Sequence, residues 1–180
     1  MTTFNKKILL AGVGLLLAHA SSFAVDSVSA EFASGNKSQF VRGGAQWDWD
    51  NAWFKSNGTQ VGGYWDATLT QWRNNAYQGV SGATQNITDV GITPVFRFQN
   101  ENKKGLYAEA GIGLHLFSHV YNNNGRAFST AFQFGDHIGV GYVFSNGWEA
   151  GLKIQHFSNG AIKKPNPGAN VATVKVGYHF

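Results

Sequence analysis

The residue types best suited to covalent chemistry lie two positions apart, at His156 and Ser158. In an extended strand, side chains two residues apart point to the same face, so the imidazole and the hydroxyl would be neighbours. An imidazole that removes the proton of a serine hydroxyl creates the nucleophile used in acyl transfer. The spacing alone is weak support, because a histidine and a serine also occur together where a strand simply reaches water.

Apolar and polar residues alternate through most of the chain, which predicts β-strands rather than membrane-spanning helices. The alternation predicts eight strands, at residues 25–34, 39–49, 60–72, 87–99, 105–117, 130–144, 148–158 and 171–180. Eight antiparallel strands suffice to close a small barrel. The fold class that we predict is therefore all-β, an eight-stranded antiparallel transmembrane β-barrel.

The two faces of the predicted strands differ sharply in polarity. In the fifth strand one face is entirely apolar, whereas the other carries Tyr107, Glu109 and His115 with glycines between them. An apolar outer face suits lipid, and a soluble barrel with an apolar interior is the alternative. The charges assigned to the lumen are Arg42, Asp66, Arg97, Glu109, Glu149, Lys153 and Lys175. The residues assigned to interfacial aromatic girdles are Trp47, Trp49, Trp65, Trp148 and Tyr178.

Residues 1–24 have the features of a secretory signal peptide: Lys6 and Lys7, an apolar run over 8–18, and small residues up to Ala24. Cleavage there leaves residues 25–180 as one outer-membrane β-barrel domain. Without the two lysines the formal charge falls from +4 to +2, with 12 basic against 10 acidic residues, so the charge predicts no nucleic-acid partner. With no cysteine and no metal-binding motif, we predict neither disulfides nor a metal site.

The register of the hairpin before the last strand can be estimated from its loop. The side chains of Phe144 and Trp148 are both predicted to point outward, so the two residues should lie opposite each other across a three-residue loop, 145–147. The last loop residue needs a left-handed backbone conformation, which Gly147 adopts readily. An even number of strands puts both ends of the mature chain in the periplasm. The external connections are then 35–38, 73–86, 118–129 and a further one that includes 164–168. The pairs that follow, all facing lipid near the headgroups, are Asp136 with His156 and Phe134 with Ser158.

Several separated motifs occur in one order along the mature chain. They are Trp47-Asp48-Trp49, Gly63-Tyr64-Trp65-Asp66-Ala67, Glu109-Ala110-Gly111-Ile112-Gly113, Phe134 with Asp136, and His156-Phe157-Ser158-Asn159 followed by Lys164-Pro165-Asn166. In these motifs the chain resembles the PagL-type lipid A 3-O-deacylases of Gram-negative outer membranes. The resemblance implies hydrolysis, without a cofactor, of the ester joining a 3-hydroxyacyl chain to position 3 of lipid A.

The resemblance also implies roles for individual residues. Ser158 matches the family nucleophile, and His156 matches its base. Asn159 and Asn166 match positions where backbone amides and an asparagine side chain can stabilise the oxyanion. Other family positions near the site are matched by Phe134 and Asp136.

One position departs from the family pattern, which has a glutamate twelve residues after the serine where this chain has Asn170. An amide oxygen can accept the imidazole N–H, but it brings no charge to stabilise the imidazolium. Asp136, across the strand pair, is the candidate replacement acid. We therefore expect an active enzyme in which Asp136 supplies the charge and Asn170 orients the ring. A slow enzyme and an inactive relative are the alternatives.

The remaining expectations concern partners. Lys163 and Lys164 are expected to contact lipid A phosphates as point charges, and Trp72 and Tyr121 to anchor the barrel at the membrane interface. The last strand, with its C-terminal Phe180, resembles the signal read by the barrel assembly machinery. The oligomeric state stays open, with a homodimer as one option. Two other functions also remain open: a non-enzymatic structural or adhesive barrel, and an outer-membrane lipid A acyltransferase with an acyl pocket in its lumen.

Overall fold

Eight long strands close into an antiparallel barrel within residues 24–180, the part of the chain that the computed structural model describes. The strands in chain order are β1 (Ser27–Gly35), β2 (Ser38–Asp48), β3 (Trp53–Ser56), β4 (Thr59–Asn74), β5 (Gln85–Asn100), β6 (Gly105–Phe117), β7 (Asn122–Asn123), β8 (Arg126–Ala127), β9 (Phe132–Val143), β10 (Trp148–Ser158) and β11 (Ala169–His179). The barrel closes where β1 pairs with β11.

The barrel consists of β1, β2, β4, β5, β6, β9, β10 and β11. These are the eight predicted strands, and their ends agree with the predicted ends to within two residues. Short β3 continues the pairing along β4, and β7 with β8 forms a separate hairpin; the alternation did not predict these three. The predicted signal peptide lies outside the described residues apart from Ala24. No helix in the described part of the chain is long and apolar enough to cross a membrane.

The outer wall of the barrel is apolar, as predicted from the alternation. Leu106 is 75% exposed and Leu152 is 60% exposed, and the outward positions beside them are also aliphatic or aromatic. Such a band of exposed side chains needs an apolar surrounding, which a bilayer supplies. Aromatic side chains gather on this wall towards the end that holds the chain termini, among them Trp49, Trp53, Trp65, Phe96, Trp148 and Tyr178.

The lumen is filled by paired charges, and all seven predicted lumen residues are buried. Arg97 bonds to Glu109 at 2.7 Å and to Glu149 at 3.0 Å, and Lys175 lies 2.9 Å from Glu149. A Cβ at Gly139 would lie 2.8 Å from the Lys153 side chain, so the glycines facing the lumen leave little empty space. An acyltransferase would need a lumen-accessible acyl pocket. The paired charges and closely packed glycines leave no space for such a pocket in this part of the lumen.

An aromatic plug fills the barrel at the end opposite the termini. Trp72 is 1% exposed and Tyr121 is fully buried, so the expectation that they anchor the barrel in the interface is wrong. Both rings point inward, where Trp72 packs against Phe40, Phe117 and Phe157 at centroid distances of 4.6–5.6 Å. For Trp72 the alternation already indicated the inward face, because Trp72 lies an even number of residues from the lumen residue Asp66 in β4. Tyr121 lies in connection 118–131, where no alternation applies.

The two ends of the barrel differ in their connections. At the plugged end they are 36–37, 75–84, 118–131 and 159–168, and at the end with the termini they are 49–58, 101–104 and 144–147. Outer-membrane barrels have short periplasmic turns and longer external loops, so the plugged end is the external one. The His156 and Ser158 end of β10 lies there.

Candidate active site

The hairpin of β9 and β10 positions the reactive side chains. Its loop is as predicted: the Phe144 N–H bonds to the Trp148 carbonyl at 2.8 Å, and Gly147 has a φ of +88°. That backbone conformation favours glycine, because a Cβ would there crowd the backbone. The predicted register is therefore confirmed, with Asp136 opposite His156 and Phe134 opposite Ser158.

Phe157 fixes which way its neighbours point. Its side chain is fully buried in the aromatic plug, with its ring 5.1 Å from Trp72 and 5.2 Å from His115. Because successive side chains of a strand point to opposite faces, the inward Phe157 turns His156 and Ser158 to the outer wall. Both outward side chains are half-buried at the external rim.

His156 is held by the neighbouring strand β11. Asn170 is its direct cross-strand partner, and the Asn170 Oδ1 lies 2.5 Å from the imidazole Nδ1. An amide oxygen accepts hydrogen bonds only, so this contact places the ring proton on Nδ1 and leaves a lone pair on Nε2. A neutral residue thus orients the imidazole in the form that a general base requires.

Ser158 lies beside this histidine without yet bonding to it. Within residues 24–180 the hydroxyl makes no hydrogen bond to the imidazole, and its one hydrogen bond comes from the Gly160 N–H, which donates to Oγ at 3.5 Å. Catalytic hydrogen bonds are often long in a site without substrate and shorten when the substrate is bound. The two side chains share one face of one strand, as the spacing predicted.

Asp136 lies across from His156 in the sheet and is half-buried. No hydrogen bond or ion pair joins its carboxylate to the imidazole among the described residues, so the contact to the ring comes from Asn170. The two side chains line one end of a groove of about 580 Å³ on the lipid-facing wall. The groove continues between Pro94, Phe96, Ala110, Ile112, Ile138 and Ile154. The role of Asp136 as a replacement acid stays a prediction.

Connection 159–168 begins directly after the serine and is internally braced. The Asn159 N–H donates to the Asn166 Oδ1 at 3.0 Å, and the buried Asn159 Nδ2 donates to the Lys163 carbonyl at 2.8 Å. Because Asn166 accepts through its oxygen, its Nδ2 keeps free hydrogens near Ser158. Two of the predicted site residues are thus brought together at the nucleophile.

The other predicted residues lie around this connection. Phe134 covers its start, since a Cβ at Gly160 would be 3.1 Å from the Phe134 ring. Lys163 and Lys164 are exposed, and within the described residues their side chains make no hydrogen bond or ion pair. Their ammonium groups therefore face the external side.

The site also contains residues that the sequence argument did not single out. Gly168 lies against the imidazole: a Cβ there would collide with Cε1 of His156 and lie 2.9 Å from Nε2. Arg126 and Ser129, from connection 118–131, bond to the backbone of 159–168. The glycine in Asn166-Pro167-Gly168 was a visible turn signal, but nothing in the sequence indicates which distant side chains contact that turn. In the described part of the chain no group of three or more His, Cys, Asp or Glu side chains is placed to hold a metal ion.

Comparison with known proteins adds to this geometry. A family model described as lipid A 3-O-deacylase (PagL) matches residues 39–179. The lipid A deacylase PagL of Pseudomonas aeruginosa is 34% identical over 149 residues, which cover 83% of each chain. The lipid A deacylase PagL of Bordetella bronchiseptica is 36% identical over 124 residues, 67% of this chain and 68% of that one.

A solved structure is similar as well. The crystal structure of the outer membrane enzyme PagL superposes with a TM-score of 0.73 at 27% sequence identity, covering 86% of this chain and 99% of that one. The family model matches seven of the eight barrel strands, from the second residue of β2 to the end of β11, and does not include β1. The resemblance seen in the motifs therefore extends to the backbone.

Proposed function

This chain belongs to the lipid A 3-O-deacylase (PagL) family, and we propose that it is an outer-membrane serine esterase that hydrolyses the acyl ester at position 3 of lipid A. The product released is a 3-hydroxy fatty acid. The carrying observation is the oriented His156, whose Nδ1 lies 2.5 Å from the Asn170 oxygen while Ser158 follows on the same outward face. The oriented imidazole and the neighbouring hydroxyl support the assignment of His156 as the base and Ser158 as the nucleophile.

The mechanism that we propose uses Ser158 as the nucleophile. Nε2 of His156 removes the hydroxyl proton, the alkoxide attacks the ester carbonyl, and the imidazolium then protonates the departing sugar oxygen. Water repeats these steps on the acyl-enzyme and releases the fatty acid. Asn170 keeps the ring in the productive tautomer, and Asp136 adds negative charge across the strand pair.

The negative oxygen of the tetrahedral intermediate needs hydrogen-bond donors near Ser158. The Asn159 N–H is already used by Asn166. The donors that we propose are the free Nδ2 of Asn166 and the N–H of Gly160, which already lies 3.5 Å from the serine oxygen. Removing one such donor in a serine hydrolase costs roughly 10²–10³ in rate.

Substrate is proposed to reach the site from the side of the barrel. Lipid A occupies the outer leaflet, and the groove that ends at His156 offers its acyl chain an apolar surface. Lys163 and Lys164 are proposed to contact the phosphates of the bound lipid. An oriented imidazole on a lipid-facing wall has no structural role in a purely structural barrel, so it disfavours that alternative. A transferase would need an acyl pocket in the lumen, which the paired charges fill.

Two further partners belong to this proposal. The barrel assembly machinery is proposed to insert the chain through its last strand, β11, which the exposed Phe180 follows. Since His156, Ser158 and Asn170 all come from one chain, the chemistry does not require the homodimer left open by the sequence.

The decisive experiment is mass spectrometry of lipid A from a host that lacks such an enzyme and expresses this chain. We expect lipid A to lose one 3-hydroxyacyl group, and Ser158→Ala and His156→Asn each to lower the rate by roughly 10³-fold or more. Both side chains lie at the rim and fill no core, so both variants should still shift in electrophoretic mobility on heating, as a folded barrel does. Full activity in folded Ser158→Ala would refute the nucleophile, and gain of an acyl group would favour the transferase.

A further inference from the structure

Arg126 joins two external connections beside the candidate active site. Its Nη1 donates to the Pro167 carbonyl at 2.7 Å and to the Gly168 carbonyl at 3.2 Å. Hydrogen bonds from a charged donor are roughly twice as strong as neutral ones. The guanidinium therefore holds the end of connection 159–168 at a defined place above β10 and β11.

The element that presents Arg126 is itself anchored on the mouth of the barrel. β7 and β8 form a tight hairpin whose turn, Asn124-Gly125, has positive φ at both residues, as a two-residue hairpin turn requires. The buried Asn123 accepts from the Ala76 N–H at 2.7 Å and donates to the Asn36 carbonyl at 2.7 Å. These bonds fix the backbone from which the exposed Arg126 side chain reaches the Pro167 and Gly168 carbonyls.

The segment that Arg126 holds is the one in contact with the base. Gly168, with a φ of +64°, lies so close to the His156 ring that a Cβ would collide with Cε1. The Oδ1 of Asn170 contacts the other ring nitrogen, Nδ1. The imidazole is thus confined between Asn170 and the Gly168 backbone, and a shift of that backbone changes where Nε2 points.

We propose that Arg126 is a positioning residue for the reaction: by holding the Pro167-Gly168 carbonyls, it keeps the His156 ring aimed at Ser158. This inference rests on the proposed function of His156 as the base. A misplacement of about 1 Å in a catalytic geometry can lower a rate roughly 10²-fold. Among the described residues no hydrogen bond joins Arg126 to His156 or Ser158, so its effect on the reaction would pass through the Pro167-Gly168 backbone.

The test compares Arg126→Ala and Arg126→Lys with Arg73→Ala. Arg73 is an exposed arginine at the external end of β4, and within the described residues its side chain bonds only to Asn75, at 3.4 Å. Three quantities are measured: kcat and KM on lipid A, the same constants on a p-nitrophenyl ester of a fatty acid, and the rate at which an uncharged fluorophosphonate labels Ser158. The ester and the probe carry no phosphate group for a cation to bind.

We expect Arg126→Ala to lower kcat on both substrates, and to slow labelling, by roughly ten- to a hundredfold, with KM nearly unchanged. Arg126→Lys should recover part of the loss, and Arg73→Ala should match the unaltered chain. If Arg126→Ala does not fold, Arg126→Gln, which retains an N–H donor for one carbonyl, provides the same comparison.

Unchanged kcat and labelling in a folded variant would overturn the proposal. A rise of KM confined to lipid A would also overturn it, because Arg126 would then be a phosphate ligand. The labelling comparison is independent of the proposed substrate. If the unaltered chain is labelled at Ser158 but releases no fatty acid from lipid A, the proposed substrate is wrong. The labelling rates of the Arg126 variants then still decide whether Arg126 positions His156.

Discussion

Asn170 changes what the imidazole partner can do. In a serine hydrolase the carboxylate at this position both fixes the tautomer and stabilises the imidazolium. The Asn170 oxygen, 2.5 Å from Nδ1, performs the first task and has no charge for the second. Asp136 lies opposite the same histidine and could supply charge without a hydrogen bond.

Substitutions at these two residues separate the tasks. We expect Asn170→Ala to lower kcat by roughly 10²-fold, because the ring loses its orienting contact. Asp136→Asn should cost less, since the carboxylate does not contact the ring, and Asn170→Glu should raise kcat by about tenfold or more by adding charge at the contact itself. Rates on purified lipid A in one detergent measure all three.

The heat-dependent mobility shift serves again as the folding control. A loss in Asp136→Asn as large as the loss in Asn170→Ala would make Asp136 the acid of this site. A slower Asn170→Glu enzyme would mean that the neutral amide is itself required.

At the scale of the elements, the strands and the positions of the external connections were predictable from sequence, and the contacts between those connections were not. Alternation predicts strands because each barrel residue faces either lipid or lumen, and Gly147 fixed the register of β9 and β10 because the loop needed a left-handed residue. That register predicted Asp136 opposite His156, and the structure has the same pair. No periodic signal places Arg126 over Gly168, because that contact depends on the packing of two irregular segments.

Connection 159–168 carries the two lysines proposed to bind phosphate. We expect the double variant Lys163→Ala with Lys164→Ala to raise KM for lipid A by roughly tenfold while kcat stays nearly constant, because binding to ground and transition states is lost equally. The matched control is Lys104→Ala, a half-buried lysine at the opposite, periplasmic end. Kinetics on lipid A at two salt concentrations measure the effect, which should shrink at high salt.

An equal rise of KM in Lys104→Ala would point to nonspecific charge. An unchanged KM in the double variant would leave the lysines as solvated side chains.

At the scale of the whole molecule, reactivity and stability are on opposite faces of one wall. The candidate active site is outside, whereas the paired charges and the aromatic plug are inside. A lumen residue should therefore affect the free energy of unfolding and leave the chemistry of the folded enzyme nearly unchanged.

Arg97 is the sharpest case, since it bonds to both Glu109 and Glu149 in the lumen. We expect Arg97→Leu to lower the free energy of unfolding by about 3–5 kcal/mol, because Glu109 loses its arginine and Glu149 retains only Lys175 as a fully buried cationic partner. Lys103→Ala, which breaks an ion pair with Asp48 at the surface, should cost about 0–1 kcal/mol. Urea titrations in one detergent compare the two variants, and kcat of folded Arg97→Leu should match that of the unaltered chain. Equal destabilisation would mean that the lumen pairs contribute no more than a surface pair.

The sideways opening of the candidate active site also determines how this enzyme meets its substrate. A groove that opens onto the bilayer admits molecules that diffuse in two dimensions within the leaflet. The quantity that sets the frequency of encounter is then the surface fraction of lipid A, and its concentration per volume of solution matters little. Added phospholipid or detergent acts as an interfacial diluent, slowing turnover without binding to the protein. Both products are amphiphiles released into the same plane, so they too become part of the medium in which the enzyme works.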